Sequence, residues 1–307
     1  MSVRIGWNGG GNHSSLAALR AEARRAEQDG FASYWLSQIS GLDALTALAV
    51  VGAETSRIEL GTSIVPLYGR HPLVLAAQAL TANAAAGGRL ALGVGPSHQP
   101  VIEGMYGESY AKPFTRTREM LTALRALTRG EALDLQGEEV RARGRLAIEA
   151  AAPPILVAAL GPRMLELAGR EADGTVLWMV GPGTVRSHIA PRIRDAAAKA
   201  DRPEPRIVAG VAVCVTDDPA AARSFAGQKL AVYGALPAYR AMLEREGVTG
   251  PADLLVAGSE SAVSDSLAGY AAAGATDLRA GALCATPQDA ERTRALLASL
   301  ARAGGVS

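Results

Sequence analysis

The stretch VRIGWNGGGNHSSL, residues 3–16, decides between the two common folds of a chain that alternates strands and helices. Val3–Trp7 reads as a strand, and Ser14 and Ser15 can cap a helix that ends at Gly30. A doubly wound sheet that binds a dinucleotide needs glycines at the spacing G-x-G-x-x-G in this first turn. The turn lacks that spacing, so it favours a parallel barrel.

The alternation continues along the whole chain. The runs predicted as strands are short, apolar and followed by a helical pattern. They are Val3–Trp7, Ser33–Leu36, Ile58–Ser63, Leu90–Val94, Ile155–Ala158, Thr175–Trp178, Val208–Val215 and Asp277–Ala282. Eight such runs predict an α/β fold, a (β/α)8 TIM barrel with insertions after strands 4 and 7. The first insertion should begin with a loop over 96–114 and hold a hairpin that turns at Gln136-Gly137, and the second should hold a helical region over 219–270.

The length and composition of the chain are consistent with a single domain. The chain has 307 residues, of which 49% are apolar, and no Pro- or Ser-rich linker divides it. α/β barrels of this size form single domains. We expect a single domain over residues 1–307, with the first insertion at about 96–150.

Charge and cysteine content limit the binding partners and the cellular compartment that we expect. The 31 basic and 30 acidic side chains nearly cancel without a basic block, which argues against nucleic-acid binding. Apolar stretches such as 44–53 are far shorter than the ~20 residues that span a bilayer, and the start lacks a signal-peptide pattern. Cys214 and Cys284 lack metal-ligand spacing and fit a reducing compartment. We expect a cytoplasmic protein that binds neither nucleic acid nor membrane.

In a barrel, the chemistry lies on the loops that follow the carboxyl ends of the strands. The three lysines (Lys112, Lys199 and Lys229) lie away from these ends, which argues against a Schiff-base aldolase. No metal-ligand spacing and no convergent pair of carboxylates occurs there, so we expect neither a metal site nor a glycosidase. The ends carry small uncharged polar residues. Such a mouth suits a flat ring held by backbone groups, with the chemistry done by a cofactor.

Two strand ends carry more specific patterns. GVGPSHQP, residues 93–100, has the glycines of a phosphate loop but lacks the Gly-Lys-Ser/Thr that should follow. In AALGPRMLELAG, residues 158–169, Gly161 precedes Pro162, which is favoured at the first position of a helix. The free N–H groups of that helix start and the charge of Arg163 predict an anion site.

Several segments together resemble the bacterial luciferase-like family, and more closely its F420-dependent branch, which includes methylenetetrahydromethanopterin reductase. They are LGTSIVP at 60–66, GRLALGVGPSH at 88–98, PILVAALGPRMLELAGREADG at 154–174 and GATDLRAG at 274–281. With the alternation, the resemblance covers nearly the whole chain, and the first and third segments are its most specific parts. It implies a (β/α)8 barrel that forms a homodimer, with a non-prolyl cis peptide between Ser63 and Ile64.

The resemblance also implies where a deazaflavin and a small-molecule substrate would bind. The expected cofactor-binding residues are Gln38, Thr62, Ser63, Ile64, Gly95, Pro96, Ser97, His98, Ala158, Ala159, Leu160, Gly161, Pro162 and Arg163. His98 could bind the cofactor tail, orient the substrate or shuttle a proton, and His98 and His13 are the expected catalytic residues because imidazole titrates near neutrality. Trp7, Tyr106 and Trp178 are expected to wall the substrate pocket.

The sequence thus predicts an F420-dependent oxidoreductase that transfers a hydride between deazaflavin C5 and a small organic substrate with a C=C, C=N, alcohol or carbonyl group. An FMN-dependent luciferase-like monooxygenase on the same barrel is the nearest alternative, and a non-catalytic cofactor-binding protein is a third. Ser37-Gln38-Ile39 and His98 stand where the branch's glucose-6-phosphate dehydrogenase has Asp-His and Glu, which argues against that sugar phosphate as substrate. The substrate and the direction of transfer stay open.

Overall fold

The computed structural model describes residues 2–306, and within them the chain forms twelve strands. They are β1 (Arg4–Gly10), β2 (Ser33–Leu36), β3 (Glu59–Thr62), β4 (Val65–Pro66), β5 (Leu90–Gly95), β6 (Leu133–Gln136), β7 (Arg141–Gly144), β8 (Ile155–Val157), β9 (Gly174–Leu177), β10 (Arg206–Val215), β11 (Val256–Gly258) and β12 (Asp277–Ala282). β4 and β11 are short additions to β5 and β10, and β6 and β7 pair only with each other. The other strands are all parallel and close into a ring, because β12 pairs with both β1 and β10 and β10 pairs with β9. The predicted eight-stranded barrel is confirmed.

The helices lie outside this ring. They are α1 (Leu16–Gln28), α2 (Ala44–Glu54), α3 (Pro72–Ala85), α4 (Gln99–Val101), α5 (Pro113–Thr128), α6 (Pro162–Glu171), α7 (Pro182–Thr184), α8 (Ala190–Lys199), α9 (Pro219–Gly234), α10 (Pro237–Glu246), α11 (Glu260–Ala273) and α12 (Pro287–Arg302). π-helical turns at Ile102–Tyr106 and Val185–Ile189 continue α4 and α7, and a 3-10 turn spans Pro251–Leu254. Many helices start at a proline, which has no N–H to leave unpaired there. No helix within residues 2–306 is both long enough and apolar enough to cross a membrane.

Charged residues close the amino-terminal end of the barrel. Arg206 begins β10, and its guanidinium lies 2.8 Å from a Glu59 carboxylate oxygen and 3.0 Å from one of Asp277. Arg4 also pairs with Asp277. Burial lowers the pKa of Arg206, but the two neighbouring carboxylates more than offset this and hold that pKa above its usual value. Above this layer the interior is filled by apolar side chains such as Trp35, so open space lies toward the carboxyl ends of the strands.

Two segments differ from the sequence prediction. The stretch 96–114, predicted as a loop, contains α4 and the π-helical turn that follows it. The helical region predicted over 219–270 is interrupted by the 3-10 turn and by β11, which pairs with Val213–Val215 of β10. A strand of three residues is too short for an alternating pattern to show in the sequence. The predicted hairpin is present as β6 and β7, with Leu133 opposite Gly144.

Candidate active site

A cavity of about 220 Å³ opens at the carboxyl end of the barrel. The loops after β3, β5 and β8 contribute to its wall, together with β9, β12 and the starts of α6 and α10. The lining residues are Ser63, Ile64, Pro96, Ser97, His98, Tyr110, Ala158, Leu160, Gly161, Met164, Val176, Leu177, Trp178, Ala238, Tyr239 and Arg279. A concave site with apolar and aromatic walls and a few polar groups is typical of a binding site for an organic molecule.

The wall after β3 is formed by a bend that β2 holds in place. The peptide bond between Ser63 and Ile64 is cis, as the family resemblance implies. The Ser37 hydroxyl donates to the Ser63 carbonyl at 2.7 Å, and the Gln38 N–H donates to the Ile64 carbonyl at 3.0 Å. The Gln38 side chain accepts from the Ala44 N–H at the start of α2, at 2.7 Å. Gln38 therefore stabilises the bend without lining the cavity, whereas Ser63 and Ile64 line it.

Two further predicted residues shape this wall without lining it. Thr62 is fully buried, and its hydroxyl donates to the Gly93 carbonyl at 2.7 Å and accepts from the Gly93 N–H at 2.8 Å. These bonds lock β3 to β5 beneath the bend. Gly95 ends β5 so close to the next loop that a Cβ there would lie 2.8 Å from the Ala158 Cβ. Only a residue without a side chain lets the two strand ends approach in this way.

The loop after β5 brings His98 to the cavity. The Tyr110 hydroxyl donates to the Ser97 carbonyl at 2.9 Å and so fixes the residue before His98. The His98 ring is half-buried and lies 5.1 Å from the Tyr239 ring, measured between centroids. Burial lowers the pKa of His98 below its usual value, because the charged imidazolium is the form that loses water. His98 is therefore a neutral imidazole at pH 7.

The loop after β8 leads into a helix start that has no side-chain cap. Gly161 is the N-cap residue of α6, so no side chain accepts from the first-turn N–H groups of the helix. Ala158, Leu160 and Gly161 line the cavity, as does Met164 of the first turn. The other predicted residues of this segment do not line it. Ala159 is buried in the core around the barrel, Pro162 is exposed, and the exposed Arg163 stacks 4.2 Å from the centre of the Phe114 ring.

Three predicted residues lie away from the cavity. The Trp7 indole N–H donates to Glu22 of α1 at 2.9 Å, beside a groove of about 390 Å³ on the outside of the barrel. His13 Nε2 lies 3.3 Å from a Glu22 carboxylate oxygen on the same side. Tyr106 packs over Gly69. Successive side chains of a strand point to opposite sides of the sheet. The sequence of β1 alone does not show whether Trp7 points into the barrel or toward the helices.

Sequence reasoning missed two prominent lining residues, Tyr239 and Arg279. Tyr239 lies on α10 within the second insertion, where no local pattern indicates a contact with the barrel mouth. Arg279 does carry a signal, since it is a charged residue in the middle of an apolar predicted strand. Such a residue is rarely buried without a reason.

A closed parallel barrel whose strand ends surround an aromatic cavity defines an enzyme of the TIM-barrel class, in which the active site lies at that end. The family model described as luciferase-like monooxygenase matches residues 3–305. The chain belongs to this family, and it is an enzyme of the luciferase-like oxidoreductase class.

Individual relatives agree with this assignment. The chain is 32% identical over 240 residues to the 5,10-methylenetetrahydromethanopterin reductase of Methanolobus tindarius, covering 77% of this chain and 73% of that protein. It is 34% identical over 242 residues to a putative coenzyme F420-dependent oxidoreductase of Mycobacterium tuberculosis, covering 72% and 67%. Its fold is similar to that of the F420-dependent tetrahydromethanopterin reductase of Methanopyrus kandleri, with a TM-score of 0.82 over 97% of this chain and 98% of that one at 22% identity.

Proposed function

We propose that this protein is a coenzyme F420-dependent oxidoreductase that transfers a hydride between deazaflavin C5 and a small organic substrate. Similarity above 30% to a putative coenzyme F420-dependent oxidoreductase and to a 5,10-methylenetetrahydromethanopterin reductase carries this proposal, since the matches cover 72% and 77% of the chain. The family also includes proteins named as monooxygenases, so the choice between a deazaflavin and FMN is part of the proposal.

The cavity fits a flat ring with an anionic tail. Ile64 and Val176 offer apolar contacts to a ring, and Trp178 has a buried indole N–H without a partner among the described residues. The uncapped start of α6, with Gly161 and Met164 at the cavity, offers main-chain N–H groups to an anion. Of the predicted cofactor contacts, the proposal keeps Ser63, Ile64, Pro96, Ser97, His98, Ala158, Leu160 and Gly161.

The chain's own contribution to the reaction is positioning and proton transfer. When bound, the deazaflavin supplies the carbon that gives or takes the hydride. Reduction of a C=C, C=N or C=O bond adds one hydride and one proton, so a protein group must supply the proton. His98 lines the cavity, and its neutral imidazole has one N–H and one acceptor nitrogen, so it can relay a proton to the substrate. We assign this role to His98 alone, because His13 does not line the cavity.

Titration of the purified protein with F420 and then with FMN tests the proposal. We expect F420 to bind with a change in its absorption, and His98→Ala to slow stopped-flow oxidation of reduced F420 by an enone or imine substrate by about 100-fold, the scale of general acid catalysis. His71→Ala is the matched control, since His71 lies outside the cavity at the start of α3 and should leave the rate unchanged. Uptake of FMN without F420 would support the monooxygenase alternative instead.

A further inference from the structure

Arg279 is a buried cation in the wall of the cavity. Its side chain extends from the middle of β12, and the residue is 4% exposed. Nη1 donates to the Asn8 side-chain oxygen at 2.9 Å, and Nη2 donates to the Leu177 carbonyl at 3.4 Å. The guanidinium carbon lies 5.0 Å from the centre of the Trp178 ring. The partners that hold Arg279 are therefore neutral.

Arg294 is the other fully buried arginine within residues 2–306, and both it and the half-buried Arg206 have carboxylate partners. Arg206 pairs with Glu59 and Asp277, and Arg294 lies 2.6 Å from Asp29. None of the ion pairs within residues 2–306 includes Arg279. Burial lowers the pKa of Arg279 to about 10, so the side chain remains charged at neutral pH. A buried charge without a counter-ion destabilises a folded protein, and such a cost is typical of a residue kept for binding.

Two N–H donors at this wall have no acceptor within residues 2–306. Arg279 Nε and Trp178 Nε1 are both buried and without a partner among the described residues. Both residues line the cavity. Gly210 on the neighbouring strand leaves space for the guanidinium, since a Cβ at that position would lie 2.7 Å from Arg279 Nη2. Buried donors are nearly always paired in folded proteins, and because these two lie together in the wall of the cavity, a ligand there can supply their oxygen acceptors.

We propose that Arg279 and the Trp178 N–H bind an anionic oxygen of the ligand, and we assign that oxygen to the carboxylate of a small organic acid substrate. This inference rests on the proposed function and deepens it by naming the substrate class. The planar donor fork of a guanidinium matches the two oxygens of a carboxylate, and hydrogen bonds between charged groups are the strong ones. A negatively charged oxygen on the cofactor ring has the same chemistry, and the experiment separates the two sources.

Benzoate and its neutral analogue benzamide are the probes, titrated into cofactor-free and F420-loaded protein and followed by calorimetry and by tryptophan fluorescence. We expect wild type to bind benzoate but not benzamide, and Arg279→Gln to weaken benzoate binding by about tenfold or more. Arg279→Lys keeps the charge without the fork and should bind with intermediate affinity. Arg294→Gln is the matched control, because it removes a buried guanidinium that lies outside this cavity.

The outcomes are distinct. Lost benzoate binding in Arg279→Gln with unchanged F420 affinity supports the assignment to the substrate. Lost F420 affinity in that variant, with no benzoate binding by wild type, overturns the substrate assignment and places the anion on the cofactor. Equal affinity of wild type and Arg279→Gln for both ligands overturns the whole inference. If wild type binds benzoate but not F420, the proposed function fails and the role of Arg279 stands.

A melting measurement separates binding from a structural role. We expect Arg279→Gln to melt at or above the wild-type temperature, because it removes an uncompensated buried charge. A melting temperature several degrees below that of wild type, with unchanged benzoate affinity, would show that Arg279 stabilises the fold instead of binding a ligand. Should Arg279→Gln fail to fold, Arg279→Lys decides by its benzoate affinity, which the inference requires to fall below that of wild type.

Discussion

At the scale of single residues, His98 shows how the cavity changes the chemistry of a side chain. Burial lowers the pKa of its imidazole, so the folded protein binds a proton there less readily than the unfolded chain does. The contribution of the neutral ring to the free energy of unfolding is complete above the pKa of the imidazole in the unfolded chain, about 6.5. It is lost as the pH falls toward the lower pKa of the folded state. We predict an NMR titration midpoint below about 6.5 for His98, assigned through His98→Asn.

The same shift predicts a pH dependence of stability. Between pH 7 and pH 5, wild type should lose more of its free energy of unfolding than His98→Asn does, because the variant has no buried imidazole at this position. Denaturant titrations at both pH values measure the difference. An identical loss in the two proteins would show that the His98 ring is as well solvated in the folded state as in the unfolded chain.

At the scale of an element, the start of α6 carries the proposed anion site. Gly161 has an extended backbone that any residue adopts, and a Cβ there meets no atom within 4 Å. Gly161→Asp and Gly161→Asn should therefore both fold, and each should stabilise the helix by a few tenths of a kcal/mol as a better cap. Only Gly161→Asp adds a negative charge, so we predict about tenfold weaker F420 binding for it than for Gly161→Asn.

Fluorescence titration with F420 and thermal melts of both variants measure this separation of stability from affinity. Equal F420 affinity of the two variants would show that the anionic tail of F420 does not bind at this helix start. A loss of affinity in both variants would instead show that the side chain's bulk, and not its charge, obstructs the cavity.

At the scale of the whole molecule, the sequence predicts the barrel better than it predicts the cavity. The alternation of strands and helices is local, so each strand is visible within its own window. The cavity depends on closure of the ring, which brings Arg279 to Asn8 across 271 residues of sequence and to Leu177 across 102. No local pattern contains such contacts. Trp7, although correctly placed in a strand, faces the helices instead, because side-chain direction depends on register.

The outer surface carries an apolar groove of about 520 Å³ between α2 and α3. It is lined by Leu45, Thr46, Ala49, Leu73, Val74, Ala77, Gln78, Thr81 and Ala82. Val74 is 51% exposed in the isolated chain. Exposed apolar side chains can belong to a contact site between proteins, and we propose this groove as the interface of the homodimer that the family resemblance implies.

We predict that sedimentation equilibrium will find wild type as a dimer and Val74→Glu as a monomer. In a two-fold interface the same patch is used by both subunits, so a single substitution buries two charges at once. Val232→Glu is the matched control, because Val232 is 63% exposed on α9 and does not line this groove. A wild-type monomer, or equal dissociation in the two variants, would contradict the assignment of this face. Since the cavity is lined within one chain, a monomeric Val74→Glu should still bind F420.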